Sequence, residues 1–131
     1  MLDNAFRHVK KHGRYRSRFE AEVARQLEAL EADFLHEAVC IPYGDGQFYI
    51  PDFTITRPSG YVFHVEAKGW MPDRDVKKYA RLAVRHPDLD LRFVFQNAKG
   101  RTGFSKRPVS TFVRRQGWLW AEGQVPAAWF E

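Results

Sequence analysis

Hydrophobic and polar positions alternate most clearly in two stretches near the middle of the chain. Residues 49–56 and 61–67 are rich in β-branched and aromatic residues of alternating polarity, a pattern typical of paired strands. The four residues between them, 57–60, fit a three-residue hairpin loop in which Pro58 opens the turn and Gly60 is left-handed. The pattern therefore predicts a β-hairpin.

The length of this loop determines which residues face each other across the hairpin. A three-residue loop sets Asp52 opposite Glu66 on one face and Phe53 opposite Val65 on the other. Lys68, two residues beyond Glu66, then points to the same side as Glu66. The hairpin is thus predicted to have one apolar face and one face that carries charged groups.

Asp52 and Glu66, which we call the acid pair, are candidates for a metal site. Carboxylates that face each other across two strands repel unless a cation lies between them. Hard oxygen ligands without a His/Cys cluster nearby favour Mg²⁺ or Mn²⁺ over zinc. Charged residues on a strand face are also typical of a solvated surface, so the spacing leaves both interpretations open.

The remaining elements follow from helical periodicity, capping residues and apolar runs. The order of helices and strands fits an α/β or α+β domain with a mixed β-sheet flanked by helices. At 131 residues and 44% hydrophobic, the chain has the length and composition of one domain with its own core. The predicted elements outside the hairpin are a helix over 17–32, a strand over 34–41, a helix over about 72–85, a buried strand over 91–95, a short helix over 110–116 and a strand over 118–120.

Ser17 and Glu20 form a capping-box pattern at the start of the first helix. In a capping box the glutamate accepts a hydrogen bond from the backbone amide of the serine. The sequence alone therefore predicts a structural role for Glu20 at this helix terminus.

The charge of the chain is basic and unevenly distributed. A net charge of +5 suits a polyanionic partner. Basic residues concentrate in an N-terminal arm over 1–16, on one stripe of the second helix and in the loop over 98–108, where they are predicted to contact phosphates. For the arm and the helix a solvated surface is the alternative. The candidate contacts are Arg7, Lys10, Lys11, Arg14, Arg16, Lys77, Lys78, Arg81, Lys99, Arg101, Lys106 and Arg107.

Cysteine content and hydropathy bear on the compartment. Cys40 is the only cysteine, so an intrachain disulfide is impossible, which is compatible with a reducing cytoplasm. We expect its thiol to be buried. No stretch has the length of a signal-peptide core or of a membrane span, so we expect a cytoplasmic protein without a membrane partner.

Several short motifs occur together in one order along the chain. They lie at residues 15–20, 26–28, 49–53, 65–69, 86–90 and 126–129. This set resembles the phage endonuclease I family, and Pro51-Asp52 followed by Glu66-Ala67-Lys68 resembles the Pro-Asp…(Asp/Glu)-x-Lys signature of the restriction-endonuclease-like superfamily. The resemblance covers nearly everything from Tyr15 to residue 131.

The resemblance implies a function and a set of site residues. A metal-dependent endonuclease that resolves four-way (Holliday) junctions and other branched DNA is implied, with DNA contacts at the basic residues. Catalytic roles are implied for Glu20, Asp52, Glu66 and Lys68. Two Mg²⁺ or Mn²⁺ ions per site would be held by Asp52, Glu66, the Ala67 carbonyl and Glu20. No small-molecule cofactor is expected.

The resemblance also implies an assembly. The chain would form a single nuclease domain with a restriction-endonuclease-like core at 42–131 and would act as a domain-swapped homodimer that exchanges residues 17–41. Two alternatives stay open: a sequence-tolerant or restriction-type nuclease of the same superfamily, and a non-catalytic DNA-binding or scaffold subunit. The presence of all four implied catalytic residues favours an enzyme.

Overall fold

The structure is a computed structural model that describes residues 15–102 and 107–131. Its helices are α1 (Arg18–Ala29), α2 (Asp73–Arg85), α3 (Val109–Arg115) and a C-terminal 3₁₀ helix (Ala127–Phe130). Its strands are β1 (Asp33–His36), β2 (Ile41–Gly44), β3 (Gln47–Tyr49), β4 (Phe53–Thr56), β5 (Val62–Lys68), β6 (Leu91–Phe95) and β7 (Trp120–Glu122). Five predicted phosphate contacts lie outside the described residues, namely Arg7, Lys10, Lys11, Arg14 and Lys106.

Strands β4 and β5 form the predicted hairpin with the predicted register. They pair antiparallel, with Phe53 opposite Val65. The Arg57 amide donates to the Tyr61 carbonyl at 2.8 Å, and Gly60 has a φ of +94°, a conformation that glycine adopts without a Cβ clash. The three-residue loop is therefore confirmed.

The hairpin lies inside a mixed sheet of order β1-β4-β5-β6-β7. β4 pairs antiparallel with β1 and with β5, whereas β6 pairs parallel with β5 and with β7. Every residue of β6 is buried, as expected for a strand covered on both faces. The predicted mixed sheet flanked by helices, with residues 91–95 beside the hairpin, is confirmed.

Helices cover both faces of this sheet. Val23 and Leu27 of α1 pack on the apolar face of the hairpin, which includes Phe53 and Phe63. On the opposite face, α2 and α3 pack on alternate residues of β6. Burying one large apolar side chain contributes about 1.5–3 kcal/mol, so the two cores together fix the strand ends that carry the acid pair.

The strand predicted over 34–41 is interrupted. β1 ends at His36, because the next residue, Glu37, has a φ of +48°, a left-handed conformation that cannot continue a strand. The chain resumes as a separate two-stranded sheet of β2 and β3. Pro42 lies within β2 rather than ending a strand, and it is exposed, as expected for proline on a short edge strand.

Smaller differences occur elsewhere. Helix α1 ends at Ala29, before the predicted Ala32, because Glu31 adopts a φ of +56° and turns the chain. The last strand is Trp120–Glu122, two residues beyond its predicted position. Cys40 is exposed, so the expectation of a buried thiol is wrong. Within the described residues, no helix is both long and apolar enough to cross a membrane.

Candidate active site

The acid pair lies where β4 begins and β5 nears its end. The amide of Asp52 donates to Glu66 Oε1 at 3.1 Å, and the amide of Ala67 donates to Asp52 Oδ2 at 2.9 Å. Both acids are buried, with Asp52 6% and Glu66 7% exposed. The hairpin register thus brings the two carboxylates together, as the sequence predicts.

Negative charge in the acid pair is only partly offset. Burial raises the pKa of Asp52 well above its ordinary value, and the charges of Glu66 and Glu20 raise it further. Burial also raises the pKa of Glu66, against the lowering effect of a hydrogen bond from Tyr49 and the charge of Lys68. The Tyr49 hydroxyl donates to Glu66 Oε1 at 2.5 Å. Carboxylates held this way fit a divalent cation, which would favour their charged forms.

Lys68 lies beside the acid pair, and its ammonium group is held by α2. Lys68 Nζ is 2.6 Å from Asp75 Oδ2, and Lys78 Nζ is 3.8 Å from Asp75 Oδ1. Asp75 lies in the first turn of α2 and is 9% exposed. The packing of α2 therefore supplies a counter-ion that fixes the position of the predicted catalytic lysine.

Glu20 joins the site from the first turn of α1. The Ser17 hydroxyl caps this helix by accepting from the Glu20 amide at 3.0 Å. The Glu20 carboxylate accepts from the amide of Arg16 and not from that of Ser17, so the predicted capping box is displaced by one residue. Glu20 is 3% exposed, and its charge acts on Asp52. Helix α1 thus adds a third carboxylate to the acid pair.

A buried histidine lies next to Glu20. His36 Nε2 is 3.4 Å from Glu20 Oε2 and 4.0 Å from Glu37 Oε2, and His36 is 2% exposed. Within the described residues, a single imidazole, rather than a His/Cys cluster, therefore lies beside these acids. The pairing of β1 with β4, which sets His36 opposite Phe53, brings the imidazole there. A contact made by long-range strand pairing leaves no signal in sequence spacing.

An open cleft of about 400 Å³ is bordered by Glu66 of the acid pair and by Asp75. Basic side chains of Arg16, Lys68, Arg74 and Lys78 line it, together with the exposed apolar residues of β3 and its flank. Of the candidate phosphate contacts, Arg16 and Lys78 therefore border the cleft. Lys78 is only partly exposed and pairs with Asp75 beside the site, so it does not belong to an outward-facing basic stripe of α2.

The other candidate phosphate contacts lie away from the cleft. Arg81 borders a second groove of about 480 Å³ between α2 and β2, next to Tyr43 and Val84. Lys77 is exposed on α2, and three basic residues are exposed on the loop between β6 and α3, namely Lys99, Arg101 and Arg107. The described candidate contacts thus fall into two sets, one that lines the cleft and one that lies outside it.

Comparison with known proteins agrees with this geometry. A family model described as phage endonuclease I matches residues 1–131. The chain belongs to the phage endonuclease I family. It is 32% identical over 128 residues to Endonuclease I of Escherichia phage T7, covering 94% of this chain and 83% of that protein. It is also 32% identical over 119 residues to Endodeoxyribonuclease 1 of Enterobacteria phage T3, covering 87% of this chain and 75% of that protein.

Membership of the phage endonuclease I family confirms the resemblance seen in the motifs. The roles of Glu20, Asp52, Glu66 and Lys68 remain predictions, as does the position of the Ala67 carbonyl. Sequence reasoning missed three residues that touch them, namely Tyr49, His36 and Asp75. Only Asp75 carried a usable signal in the sequence. An acid in the first turn of the helix that follows Lys68 favours the helix dipole, and it can also serve as the counter-ion of Lys68.

Proposed function

We propose that this chain is a divalent-metal-dependent, structure-selective DNA endonuclease that resolves four-way (Holliday) junctions and other branched DNA by hydrolysing phosphodiester bonds. The observation that carries the proposal is the buried contact of Asp52 with Glu66, 3.1 Å from amide to carboxylate, beside Lys68. The names of the two phage relatives, an endonuclease and an endodeoxyribonuclease, support DNA as the substrate.

Three carboxylates would hold the metal. Asp52, Glu66 and Glu20 would bind two Mg²⁺ or Mn²⁺ ions, with the Ala67 carbonyl as a further oxygen ligand. Divalent cations in such a site supply Lewis acidity, which lowers the pKa of water and stabilises a leaving oxygen. The raised pKa values of Asp52 and Glu66 support this role, since their charged forms need a cation nearby.

Lys68 would orient the attacking water and offset charge on the phosphate. An ammonium group donates three hydrogen bonds, and one of those of Lys68 is directed to Asp75 at 2.6 Å. The remaining two are available to a water molecule and to a phosphate oxygen, where preorganised positive charge stabilises the transition state. Asp75 would therefore be a positioning residue that acts through Lys68.

The basic residues around the cleft would bind the DNA backbone. Each phosphate that is neutralised by a lysine or arginine releases counterions, so binding weakens as salt rises. We expect the affinity for a junction to fall steeply with salt, and we expect removal of residues 2–12 to flatten that dependence. Binding that is insensitive to salt would exclude these residues as the main interface.

We further propose a twofold homodimer that exchanges its N-terminal segment. Two symmetric cuts need two active sites, which a twofold dimer provides. In the single chain, α1 packs on its own hairpin, and an exchanged dimer would make the same contacts between subunits. Phe48 and Ile50, next to the link between the segments, are 60% and 42% exposed. A second subunit would cover such apolar side chains.

Cleavage of matched substrates tests the function. A four-way junction and a linear duplex of the same sequence would be incubated with the chain in Mg²⁺, in Mn²⁺ and in a chelator. We expect cleavage of the junction to be faster and to require metal. Equal cleavage of both substrates would favour a sequence-tolerant or restriction-type nuclease. Binding without cleavage of any DNA would favour a non-catalytic DNA-binding or scaffold subunit.

Mixed subunits test the exchange. Refolding an inactive Glu20→Ala chain with an inactive Lys68→Ala chain would give heterodimers with one intact site and one doubly altered site. Such heterodimers should nick a junction on one side only. If heterodimers form and the mixture stays inactive, each site is built from a single chain.

A further inference from the structure

Three metal-ligating side chains meet beside the acid pair. Ligand atoms of Glu20, His36 and Glu37 all lie within 4.8 Å of one another. Glu20 and His36 are 3% and 2% exposed, while Glu37 is half-buried at the mouth of the group. The His36 ring packs against the rings of Tyr15 and Phe53, with centroids 4.6 and 5.6 Å away, and its Nε2 faces the two carboxylates.

The spacing of these atoms suits coordination. Two ligand atoms that each lie about 2.1 Å from a metal are about 3.0 Å apart at a right angle and about 3.4 Å apart at the tetrahedral angle. His36 Nε2 and Glu20 Oε2 are 3.4 Å apart, and His36 Nε2 and Glu37 Oε2 are 4.0 Å apart. The first pair needs no movement to share one ion at the tetrahedral angle, and the second needs to close by about 0.6 Å.

The charge at this position also suits a cation. Two carboxylates with a neutral imidazole carry a formal charge that a divalent ion would balance. The predicted catalytic lysine, Lys68, is paired with Asp75, with 2.6 Å between Nζ and Oδ2. Arg16 Nε lies 3.0 Å from Glu37 Oε2, but the Arg16 side chain is 77% exposed. A bound ion would therefore replace an exposed ion pair, which contributes little to stability.

We propose that Glu20, His36 and Glu37 form a binding site for a divalent first-row transition metal, of which Mn²⁺ and Co²⁺ are the probes. Imidazole nitrogen suits such ions, whereas Mg²⁺ prefers oxygen ligands alone. The proposal deepens the proposed metal-dependent function, on which it rests. It assigns His36 as the residue that makes the Glu20 side of the active site selective for transition metals.

The location of the cluster links it to the acid pair. The amide of Glu37 donates to the carbonyl of Asp52 at 3.0 Å, so the loop that carries Glu37 is joined to the residue that would share the metals. All three ligands come from one stretch of chain, residues 20–37. The site would consequently stay intact whether or not that stretch is exchanged between subunits.

Pulsed electron paramagnetic resonance of the Mn²⁺-loaded chain provides the test. Coupling of the electron spin to ¹⁴N reports an imidazole ligand directly. We expect this coupling in the unaltered chain and in Glu66→Gln, and its loss in His36→Gln. His86→Gln is the matched control, because the His86 ring nitrogen faces the Pro42 carbonyl at 2.5 Å, away from these acids.

Metal affinities provide the second readout. Residues that merely orient metal ligands contribute about 10–100-fold to affinity, so His36→Gln should weaken Mn²⁺ binding at least about tenfold. Mg²⁺ binding should change less, and the preference for Mn²⁺ over Mg²⁺ should fall by a similar factor. His86→Gln should leave both affinities unchanged.

Two results would overturn the proposal. One is Mn²⁺ binding without ¹⁴N coupling in the unaltered chain, which needs no variant to fold and would indicate a simple ion pair of His36 with Glu20. The other is coupling that survives in His36→Gln. Neither result touches the proposed function if cleavage still requires metal, whereas cleavage that persists in a chelator overturns the proposed function itself.

Discussion

Two carboxylate clusters at this sheet differ in how their charge is balanced. Arg92 donates to both oxygens of Asp90 at 2.8 Å, and the Tyr61 hydroxyl donates at 2.6 Å. Burial alone would raise the pKa of Asp90, but these hydrogen bonds lower it below its ordinary value. Asp52 has the opposite balance, because burial and the charges of Glu66 and Glu20 raise its pKa.

The difference separates a carboxylate with a structural partner from one that is a candidate metal ligand. The Arg92 guanidinium that binds Asp90 also lies 4.0 Å from the centre of the Phe63 ring and 5.5 Å from that of Trp129. That cluster therefore links β5 and β6 to the C-terminal 3₁₀ helix with its charges paired internally. The charge of Asp52 is opposed by those of Glu66 and Glu20, which destabilises the fold without metal and favours a cation.

The largest difference between Asp52 and Asp90 should appear in the rate of junction cleavage. Asp52→Asn should lower junction cleavage by at least about 10²-fold, since a lost group that stabilises the transition state electrostatically has an effect of that size. Asp90→Asn should leave cleavage close to that of the unaltered chain. Junction binding by Asp52→Asn should hold or rise, because a negative charge near phosphate is removed. Full cleavage by Asp52→Asn would contradict the assignment of the acid pair.

For the free energy of unfolding, Asp90→Asn should have the larger effect and Asp52→Asn the smaller. Asp90→Asn leaves the buried Arg92 without its carboxylate, so the free energy of unfolding should fall by about 2 kcal/mol. Urea unfolding of the two asparagine variants beside the unaltered chain measures this. A fall for Asp52→Asn equal to that for Asp90→Asn would mean that both acids have structural roles.

The hairpin could be predicted from sequence because its determinants are local. Pro58 and Gly60 determine the turn, the alternation of apolar residues determines the faces, and together they set Asp52 opposite Glu66. The break after His36 could not be predicted, because Glu37 adopts a positive φ without the glycine or asparagine that usually signals one.

The residues that complete the site were missed for a related reason. His36 reaches Glu20 through the pairing of β1 with β4, and Asp75 reaches Lys68 through the packing of α2. Both contacts depend on how separate elements pack against one another in the folded chain, and not on spacing within one element. A local pattern can specify which side chains share a strand face, but not which helix is packed against that face.

Removal of charge from the acid pair should also have a small stabilising effect that metal reverses. Without metal, Asp52→Asn relieves a buried repulsion, and we expect the free energy of unfolding to rise by about 1 kcal/mol. A ligand at 100 times its dissociation constant adds about 2.7 kcal/mol to the stability of the form that binds it. With saturating Mn²⁺ the unaltered chain should therefore become the more stable of the two. Equal stabilisation of both chains by Mn²⁺ would place the metal elsewhere.

The smallest expected effect is a difference in how stability depends on pH in the presence of a chelator. Asp52 has a raised pKa in the folded chain, so its contribution is present below its unfolded pKa, about 4, and is lost as pH rises through the folded value. Asp90 has a lowered pKa, so its contribution is present above about 4 and is lost as pH falls.

Unfolding in urea at a series of pH values tests this contrast. Relative to Asp52→Asn, the unaltered chain should lose stability as pH rises above 4, and relative to Asp90→Asn it should lose stability as pH falls below 4. Burial lowers the pKa of His64 to about 4, while the charge of Asp90 raises it. The acid destabilisation by His64 therefore cancels in the comparison with Asp52→Asn, whereas the comparison with Asp90→Asn also contains a change at His64 that acts in the opposite direction. Parallel curves of unfolding free energy against pH for all three chains would mean that folding does not shift the pKa values of Asp52 and Asp90 in opposite directions.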